Sequence, residues 1–363
     1  MKEITSHQFI LLSIFLMLST KILTFQPIVY EFAEKDSFWS ILFGAVFDII
    51  ILLLVVLLLK KYKDITFFEL LNKTFGKVIA YIILFVMFLF ILFKVVFLAE
   101  ETFAFFVKFL YEDLNVWIYI IPMAFVCGYF SIKGITTISR TIEVFYVFVL
   151  IGIILCALTA VEGINFDYIC PCFENGFSNA FNGILSQIFY RGNGLILLLF
   201  MGKIKFSNHF VLKAILAKIF ATLLLLGITL LFYLVYGPST KYVEFALADL
   251  PQYNPFVSDI GRLNWLSVVV CVIALILTTS VMIYALSLIL RWTFSIKRSI
   301  VPTSIAIILI VLIAFLNDFS IILMEQKIVG AWGYVVGLSF AFFTILTILL
   351  LLIRRKNEQS HKI

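Results

Sequence analysis

Charged residues are scarce in this chain. Asp, Glu, Lys and Arg make up 13% of its 363 residues, whereas 63% are hydrophobic and the mean hydropathy is +1.15. A soluble domain of this length needs more charge on its exposed surface, so the composition excludes a soluble globular protein. The sequence predicts an all-α integral membrane protein, formed as a single polytopic domain over residues 1–363.

Side chains that bind metals or carry out catalysis are also few. The five cysteines and three histidines are scattered and show no metal-binding spacing. The sequence contains no heme, nucleotide or nucleic-acid motif and no catalytic constellation. We therefore expect no enzymatic activity, no catalytic residue, no cofactor, no metal and no nucleic-acid partner. Cys170 and Cys172 are separated by one residue, which would strain a disulfide, so we expect both to be unpaired.

Hydrophobic runs account for most of the chain. A transmembrane helix needs about 20 apolar residues, and on this basis the sequence predicts ten spans. Their approximate ranges are 5–30, 37–60, 78–110, 114–132, 138–160, 178–202, 207–236, 263–293, 299–317 and 328–353. The first run resembles a signal peptide, but Lys21 follows it in place of a small-residue cleavage site, so we expect a retained helix.

The distribution of charge predicts the orientation of these spans. Lysines and arginines are concentrated in alternate loops, for example at Lys60, Lys61 and Arg140, and the remaining loops are richer in Asp and Glu. The positive-inside rule then places both termini in the cytoplasm, which requires an even number of spans. All five tryptophans fall at predicted span ends, as an aromatic belt would.

Two segments between the predicted spans have recognisable patterns. Residues 64–75 combine a possible capping aspartate, Asp64, with an apolar stripe, and predict a short amphipathic helix on the membrane surface. Residues 236–264 form the longest outer loop, which is rich in Pro, Tyr and Asp. Its composition is compatible with a lid over the outer mouth or with a plain connector.

The sixth predicted span has a polar interruption at Tyr190, Arg191, Gly192, Asn193 and Gly194. Glycines lower helix propensity, and an arginine at membrane depth costs several kcal/mol unless it meets water or a partner. Irregular backbone at that depth persists only inside protein or beside a cavity. We interpret the interruption as a broken helix at a binding site near the bilayer midplane; the alternative is a cytoplasmic loop between two short apolar segments.

The first span has a second interruption at Ser19, Thr20 and Lys21. Spans 1 and 6 each begin a five-span half, and interruptions at corresponding positions are typical of inverted-repeat transporters. The sequence therefore predicts two inverted repeats, at about 5–160 and 178–353. Half-helix N-termini attract anionic groups, so a carboxylate-bearing ligand such as an amino acid is favoured, with Lys21 or Arg191 adding positive charge.

Several other ionisable residues fall inside predicted spans. They are Asp48, Lys94, Glu100, Glu101 and Lys218. Lys94 and Glu101 are seven residues apart, which places them on one helix face. Intramembrane charges are candidates for coupling or ligand-binding groups, although buried ion pairs or lysines that snorkel to the interface would give the same pattern.

Three phrases in the sequence are characteristic of one family. They are Ile4-Thr5-Ser6-His7-Gln8-Phe9, Thr66-Phe67-Phe68-Glu69-Leu70-Leu71 and Gly134-Ile135-Thr136-Thr137-Ile138-Ser139-Arg140-Thr141-Ile142-Glu143. With these phrases the chain resembles the endospore germination permeases, the B subunits of nutrient germinant receptors, within the amino acid–polyamine–organocation superfamily. Arg140 and Glu143 are i,i+3 neighbours, close enough to pair at the cytoplasmic lip.

The resemblance implies a leucine-transporter-type fold with broken helices 1 and 6, located in the inner spore membrane among membrane lipid. It also implies a small nutrient ligand, commonly an amino acid, and partner subunits of the A and C types. Three functions follow. The first is a transporter-like sensor that signals germination through its partners. The second is an active amino acid permease coupled to protons or another ion, with Asp48 or a Lys–Glu pair as the coupling group. The third is a structural subunit without a ligand. The first two need the same cavity, so the sequence does not separate them.

Overall fold

A computed structural model of the chain describes residues 3–109, 115–168, 177–253, 264–316 and 331–360. Cys170 and Cys172 lie outside the described residues, as do residues 254–263 of the long outer loop. The expectation that these two cysteines are unpaired therefore stays a prediction.

The described chain is helical apart from two short strands, β1 and β2. In chain order the elements are β1 Ile4–Thr5, α1 Ser6–Leu18, α2 Phe25–Ala33, α3 Ser37–Lys61, α4 Phe67–Phe75, α5 Lys77–Phe109, α6 Val116–Lys133, α7 Ile135–Thr159, α8 Phe177–Ser186, α9 Asn193–Ile196, β2 Ile204–Lys205, α10 Phe210–Tyr236, α11 Ala246–Asp249, α12 Asn264–Phe294, α13 Ile300–Leu316 and α14 Ala331–Ser360.

Within the described ranges, seven helical stretches are long and apolar enough to cross a membrane. They are Phe25–Lys61, Lys77–Phe109, Ile135–Gly163, Phe177–Phe200, Phe210–Tyr242, Trp265–Phe294 and Val335–Leu352. Trp117–Lys133 and Ile300–Ile313 are shorter apolar helices. The prediction of a helical integral membrane protein is confirmed, and the count of ten spans stays a prediction.

Helix α5 shows why these sequences form membrane helices. Val78, Ile82 and Phe85 recur at helical spacing and are 73%, 57% and 61% exposed on the surface of the bundle. Leu84 and Met87, on another face, are completely buried. A helix that is apolar on every face suits a lipid environment on one side and protein on the other.

The predicted amphipathic helix is present as α4, but it begins later than expected. Its N-cap is Thr66 rather than Asp64: the Thr66 side chain accepts a hydrogen bond from the Glu69 amide, and the Glu69 carboxylate accepts one from the Thr66 amide. This reciprocal capping box satisfies two amide donors that would otherwise lack partners. Phe67 and Leu71 are completely buried, so the apolar stripe packs against the bundle.

The two strands connect the start of the chain to the linker that follows α9. Strands β1 and β2 pair in parallel, with Ile4 opposite Ile204 and Thr5 opposite Lys205. The Ser6 hydroxyl donates to the Lys205 carbonyl over 2.7 Å and accepts from the Ser207 amide over 2.7 Å. The beginning of α1 is therefore fixed to a segment about 200 residues away in sequence.

The packing places α1, α2 and α9 inside the bundle, whereas α8 is buried only along the side that carries Ala180 and Gly183. Helix α2 packs on α8, α1 packs on α7 and α10, and α3 packs on α10. Helix α12 packs against α5, α6 and α7. Close approach between α2, α3 and α8 depends on Gly183, because a Cβ atom there would lie 2.5 Å from Ala33 Cβ and from Ser40 Oγ.

Replacing Gly183 by alanine is expected to destabilise the fold. Overpacking of a tight contact typically costs about 1–3 kcal/mol, so the thermal unfolding temperature of the detergent-solubilised protein should fall. Gly227→Ala in α10 is the matched control, since a Cβ atom there has no neighbour within 4 Å. Equal unfolding temperatures for the two variants would contradict the close packing of α2, α3 and α8.

Candidate functional site

The first helix breaks where the sequence predicts. Helix α1 ends at Leu18, a single 3₁₀ turn covers Ser19–Lys21, and α2 starts at Phe25. The Ser19 hydroxyl donates to the Phe15 carbonyl over 2.6 Å and also bonds to the Thr278 hydroxyl on α12. Ser19, Thr20 and Lys21 are all buried. The interruption extends three residues beyond the predicted one, to Thr24, which the sequence alone did not single out.

The second break lies at the polar interruption in residues 177–200. Helix α8 passes into a 3₁₀ turn over Gln187–Tyr190, Arg191 is extended, and α9 starts at Asn193. Between them Gly192 has a left-handed φ of 80°, where a Cβ atom would lie 2.7 Å from the Phe340 ring. Arg191 is 4% exposed, and this burial favours the broken helix over an exposed loop.

Asn193 joins the two breaks. Its side-chain Nδ2 donates to Thr20 Oγ1 over 2.7 Å and to the Leu16 carbonyl over 3.3 Å. Its Oδ1 accepts from Lys94 Nζ over 2.9 Å. Gly194, next to it, faces Met17 of α1 and is buried. One amide side chain therefore connects the first broken helix, the second broken helix and α5.

Lys94 satisfies the carbonyl groups that the second break leaves without helical partners. Its ammonium donates to the Phe189 carbonyl over 2.8 Å, to the Arg191 carbonyl and to Asn193 Oδ1. The Lys94–Glu pair considered as a coupling group is not found among the described contacts of Lys94, which are to neutral oxygens. An ammonium has three donors, and here each one meets an oxygen of the break.

Glu101 bonds to the first break instead. Its carboxylate accepts from the Thr24 amide over 3.0 Å and from the Thr24 hydroxyl over 2.5 Å. The Thr24 hydroxyl also lies 2.8 Å from Tyr190 Oη, which belongs to the second break. Lys94 and Glu101, on one face of α5 as the spacing predicts, therefore each contact one of the breaks. A lone threonine in an apolar run gives no sequence signal for the role of Thr24.

Asp48 and Arg191 form the charged side of the site. The Lys21 ammonium donates to Asp48, and both groups are buried. Arg191 donates from Nη2 to Gln187 Oε1 over 2.9 Å, and its guanidinium carbon lies 5.8 Å from the centre of the Phe47 ring. Gly44 on α3 makes room for this arrangement, because a Cβ atom there would overlap the guanidinium. The sequence did not single out Gln187 or Gly44.

Lys218 on α10 completes the set of predicted residues that the structure brings together. Its side chain is buried and interacts electrostatically with Asp48 and Lys21. Lys21, Asp48, Arg191 and Lys218 thus lie together on the side formed by α3 and α10. Lys94 and Glu101 approach the breaks from α5.

The described residues 243–253, in the segment predicted as a long loop, cover the first break. The Ala246 amide of α11 donates to the Leu23 carbonyl over 3.2 Å, and Phe245 packs edge-on against Phe105 at 5.4 Å. Lys108 pairs with Asp249 at 3.1 Å. Burial raises the pKa of Asp249, although the Lys108 ammonium opposes this shift. The described part of this segment is therefore packed into the fold, and its role as a lid or a connector stays a prediction.

Another set of contacts holds the start of α1. Gln8 Nε2 donates to Glu143 Oε2 over 2.9 Å, and His7 Nε2 lies 3.8 Å from Glu143 Oε1. The Arg140–Glu143 pair that the spacing allows is not found among the described contacts, because Glu143 points to α1 and Arg140 is exposed. Nearby in the linker after α9, Lys203 donates to Tyr284 Oη over 2.7 Å, and burial lowers the pKa of Lys203 to about 8.

The described residues contain no group of three or more His, Cys, Asp or Glu side chains arranged to hold a metal ion. The polar groups at the two breaks are instead amide, hydroxyl, ammonium, guanidinium and the separate carboxylates of Asp48 and Glu101. Such groups suit an organic ligand with polar or charged ends.

The fold is that of a membrane transporter. The structure matches a manganese transporter from Eremococcus coleocola, solved in complex with an aromatic bis-isothiourea substituted compound, with a TM-score of 0.59 and 13% sequence identity. The match covers 94% of this chain and 76% of the transporter. At this identity the likeness shows the fold alone, and a search of curated proteins found no match.

The sequence itself identifies the family. The family described as spore germination protein, the spore permeases, matches residues 3–320, which is most of the chain. The transporter-like fold agrees with a permease family, and the apolar helices make the protein an integral membrane protein. Matched over that length and folded in that way, the chain belongs to the spore germination permease family.

Proposed function

We propose that this protein is the transporter-like membrane subunit of a spore nutrient germinant receptor. It binds a small nutrient, an amino acid, at the breaks in helices 1 and 6 and signals through A-type and C-type partner subunits. The observation that carries the proposal is the direct bond between the two breaks through Asn193 and Thr20. Binding, rather than a catalysed reaction, is the role assigned to the site, and it requires no cofactor.

An amino acid matches the groups at the breaks. Arg191, buried at the second break, supplies a positive charge for the ligand's carboxylate. The Glu101 carboxylate and Tyr190 Oη both bond to the Thr24 hydroxyl and can accept hydrogen bonds from an ammonium. The ligand's two charged ends would thus find opposite partners within one site.

The proposed architecture has ten spans in two inverted repeats, at about 5–160 and 178–353. The protein lies in the spore inner membrane, and both termini face the cytoplasm. A helix lies along each predicted span, including the short helices α6 and α13 and the divided first helix. Each broken helix opens its own half, and the two breaks meet at one place. This meeting is what an inverted repeat around a central site requires.

Signalling follows from the different neighbours of the two parts of the first helix. The start of α1 is held by β2 and by Glu143. Helix α2 packs on α8, and the Leu23 carbonyl, just before α2, accepts a hydrogen bond from the Ala246 amide. A ligand that changes the angle between α1 and α2 would therefore move the surface around β2 and Glu143 relative to the surface around α8 and α11. It can shift the equilibrium between two states by no more than its difference in affinity for them.

The second candidate function is an active permease coupled to protons or another ion. The buried Lys21–Asp48 pair favours it, because both groups adjoin the breaks and a buried carboxylate can change its charge as the site opens. The fold, shared with a manganese transporter, is compatible with transport.

The first test concerns Asn193. Asn193→Ala removes the hydrogen bonds of this side chain to Thr20, the Leu16 carbonyl and Lys94, so we expect at least about a tenfold loss of affinity for the amino acid that binds the wild type. A panel of amino acids is screened by ligand-induced thermal stabilisation of the purified full-length protein. Asn208→Ala, at an exposed asparagine, is the control and should bind normally. Unchanged affinity in Asn193→Ala would place the ligand elsewhere.

The second test separates sensing from transport. Proteoliposomes containing the wild-type protein are given a radiolabelled amino acid mixture under an inward proton gradient. The receptor proposal predicts binding without accumulation. Accumulation would favour the permease, and Asp48→Asn should then abolish its dependence on the gradient. An uptake whose pH dependence survives in Asp48→Asn would exclude Asp48 as the coupling group.

A further inference from the structure

The side of the site formed by α3 and α10 contains more positive than negative charge. Asp48 interacts electrostatically with Lys21, Arg191 and Lys218, and also with Lys94. All five residues are 4–5% exposed. Among the described residues, the Asp48 carboxylate thus interacts with four cationic side chains, while the nearby Glu101 carboxylate is bonded to Thr24.

Two of these cations are incompletely satisfied. Arg191 Nε is buried and forms no hydrogen bond among the described residues, and Nη2 donates to the neutral amide of Gln187. Lys218 is buried, with 5% of the residue exposed. Its ammonium nevertheless forms neither a hydrogen bond nor an ion pair with any described residue. Lys94, by contrast, is fully bonded, and Lys21 holds the one close ion pair, with Asp48.

Such an excess is costly without a counter-charge. A buried charge without a partner costs several kcal/mol. Loss of a proton from Lys218 would reduce the excess by one, but Arg191 remains protonated in proteins. A zwitterionic amino acid brings one charge of each sign, so its binding leaves the balance unchanged. The deficit calls for a species with net negative charge.

We propose that the cluster of Arg191, Lys218, Lys21 and Asp48 binds a monovalent anion. The anion bonds to Arg191 Nε and to the Lys218 ammonium. It has two sources: the side-chain carboxylate of an acidic amino acid ligand, or a free small anion such as chloride bound beside a neutral one. The first source rests on the proposed function, whereas the second stands independently of it.

The test measures thermal unfolding of the full-length protein in nanodiscs of zwitterionic lipid. Sodium chloride is compared with sodium gluconate at equal ionic strength, and aspartate and glutamate are compared with asparagine and glutamine in each salt. The variants are Arg191→Gln and Lys218→Gln. Lys213→Gln, an exposed lysine on the same helix, is the matched control.

The free anion would be supported if chloride stabilises the wild type. Arg191→Gln and Lys218→Gln should then weaken the apparent affinity for chloride about tenfold or more, and Lys213→Gln should retain it. Stabilisation by the acidic amino acids over their amides in gluconate, with the same response to the variants, would support the ligand carboxylate. If Arg191→Gln does not fold, Lys218→Gln decides. Asp48→Asn supplies a test of opposite sign, since it removes the competing negative charge and should tighten anion binding.

The proposal is overturned if a neutral amino acid stabilises the protein equally in both salts and the acidic ones add nothing. That result would leave the proposed amino acid site intact. If chloride stabilises the protein and no amino acid does, the anion site stands and the proposed function fails. Equal loss of the chloride effect in Lys213→Gln would reduce it to surface screening and overturn the proposal.

Discussion

The structure depends on satisfying the backbone groups that two broken helices leave inside an apolar bundle. An unpaired carbonyl or amide in such surroundings costs several kcal/mol, so a broken helix persists only with substitute partners. Lys94 supplies them at the second break, where its ammonium donates hydrogen bonds to two backbone carbonyls and to the Asn193 side chain. At the first break the Glu101 carboxylate accepts a hydrogen bond from the Thr24 amide, and the Leu23 carbonyl accepts one from the Ala246 amide.

These replacement hydrogen-bond partners connect the two breaks to each other. Lys94 and Glu101 lie on the same face of α5, so a single rigid helix supports both breaks. Asn193 and Thr20 join them directly, and Tyr190 and Thr24 join them a second time. A ligand that replaces any one of these partners therefore acts on both broken helices together. Under the proposed function, this coupling would let a small solute affect helices that are far apart in sequence.

The two parts of the first broken helix have different neighbours. Helix α1 is tied to β2 and Glu143, while the residues just before α2 are covered by α11. The same arrangement serves a transporter, which must open each end in turn, and a sensor, which must report on one end. Membership of a germination family and a transporter fold are thus compatible features of one molecule. The imbalance of buried charge beside the breaks adds electrostatic selection to this mechanism.

The sequence by itself determined the membrane class, the helical fold and the position of both breaks. Polar and glycine residues in an otherwise apolar span are costly in lipid, and this cost is visible in one dimension. It also indicated Lys94 and Glu101 through their helical spacing, but not their partners, and it allowed an Arg140–Glu143 pair that the described contacts do not include. Thr24, Gln187 and Gly44 had no sequence signal, because a threonine, glutamine or glycine acquires its role only from neighbours brought close by packing. Only the tertiary structure decided which carbonyl each buried cation serves, since hydrogen bonds between distant segments depend on ångström-scale geometry that hydrophobic patterns do not encode.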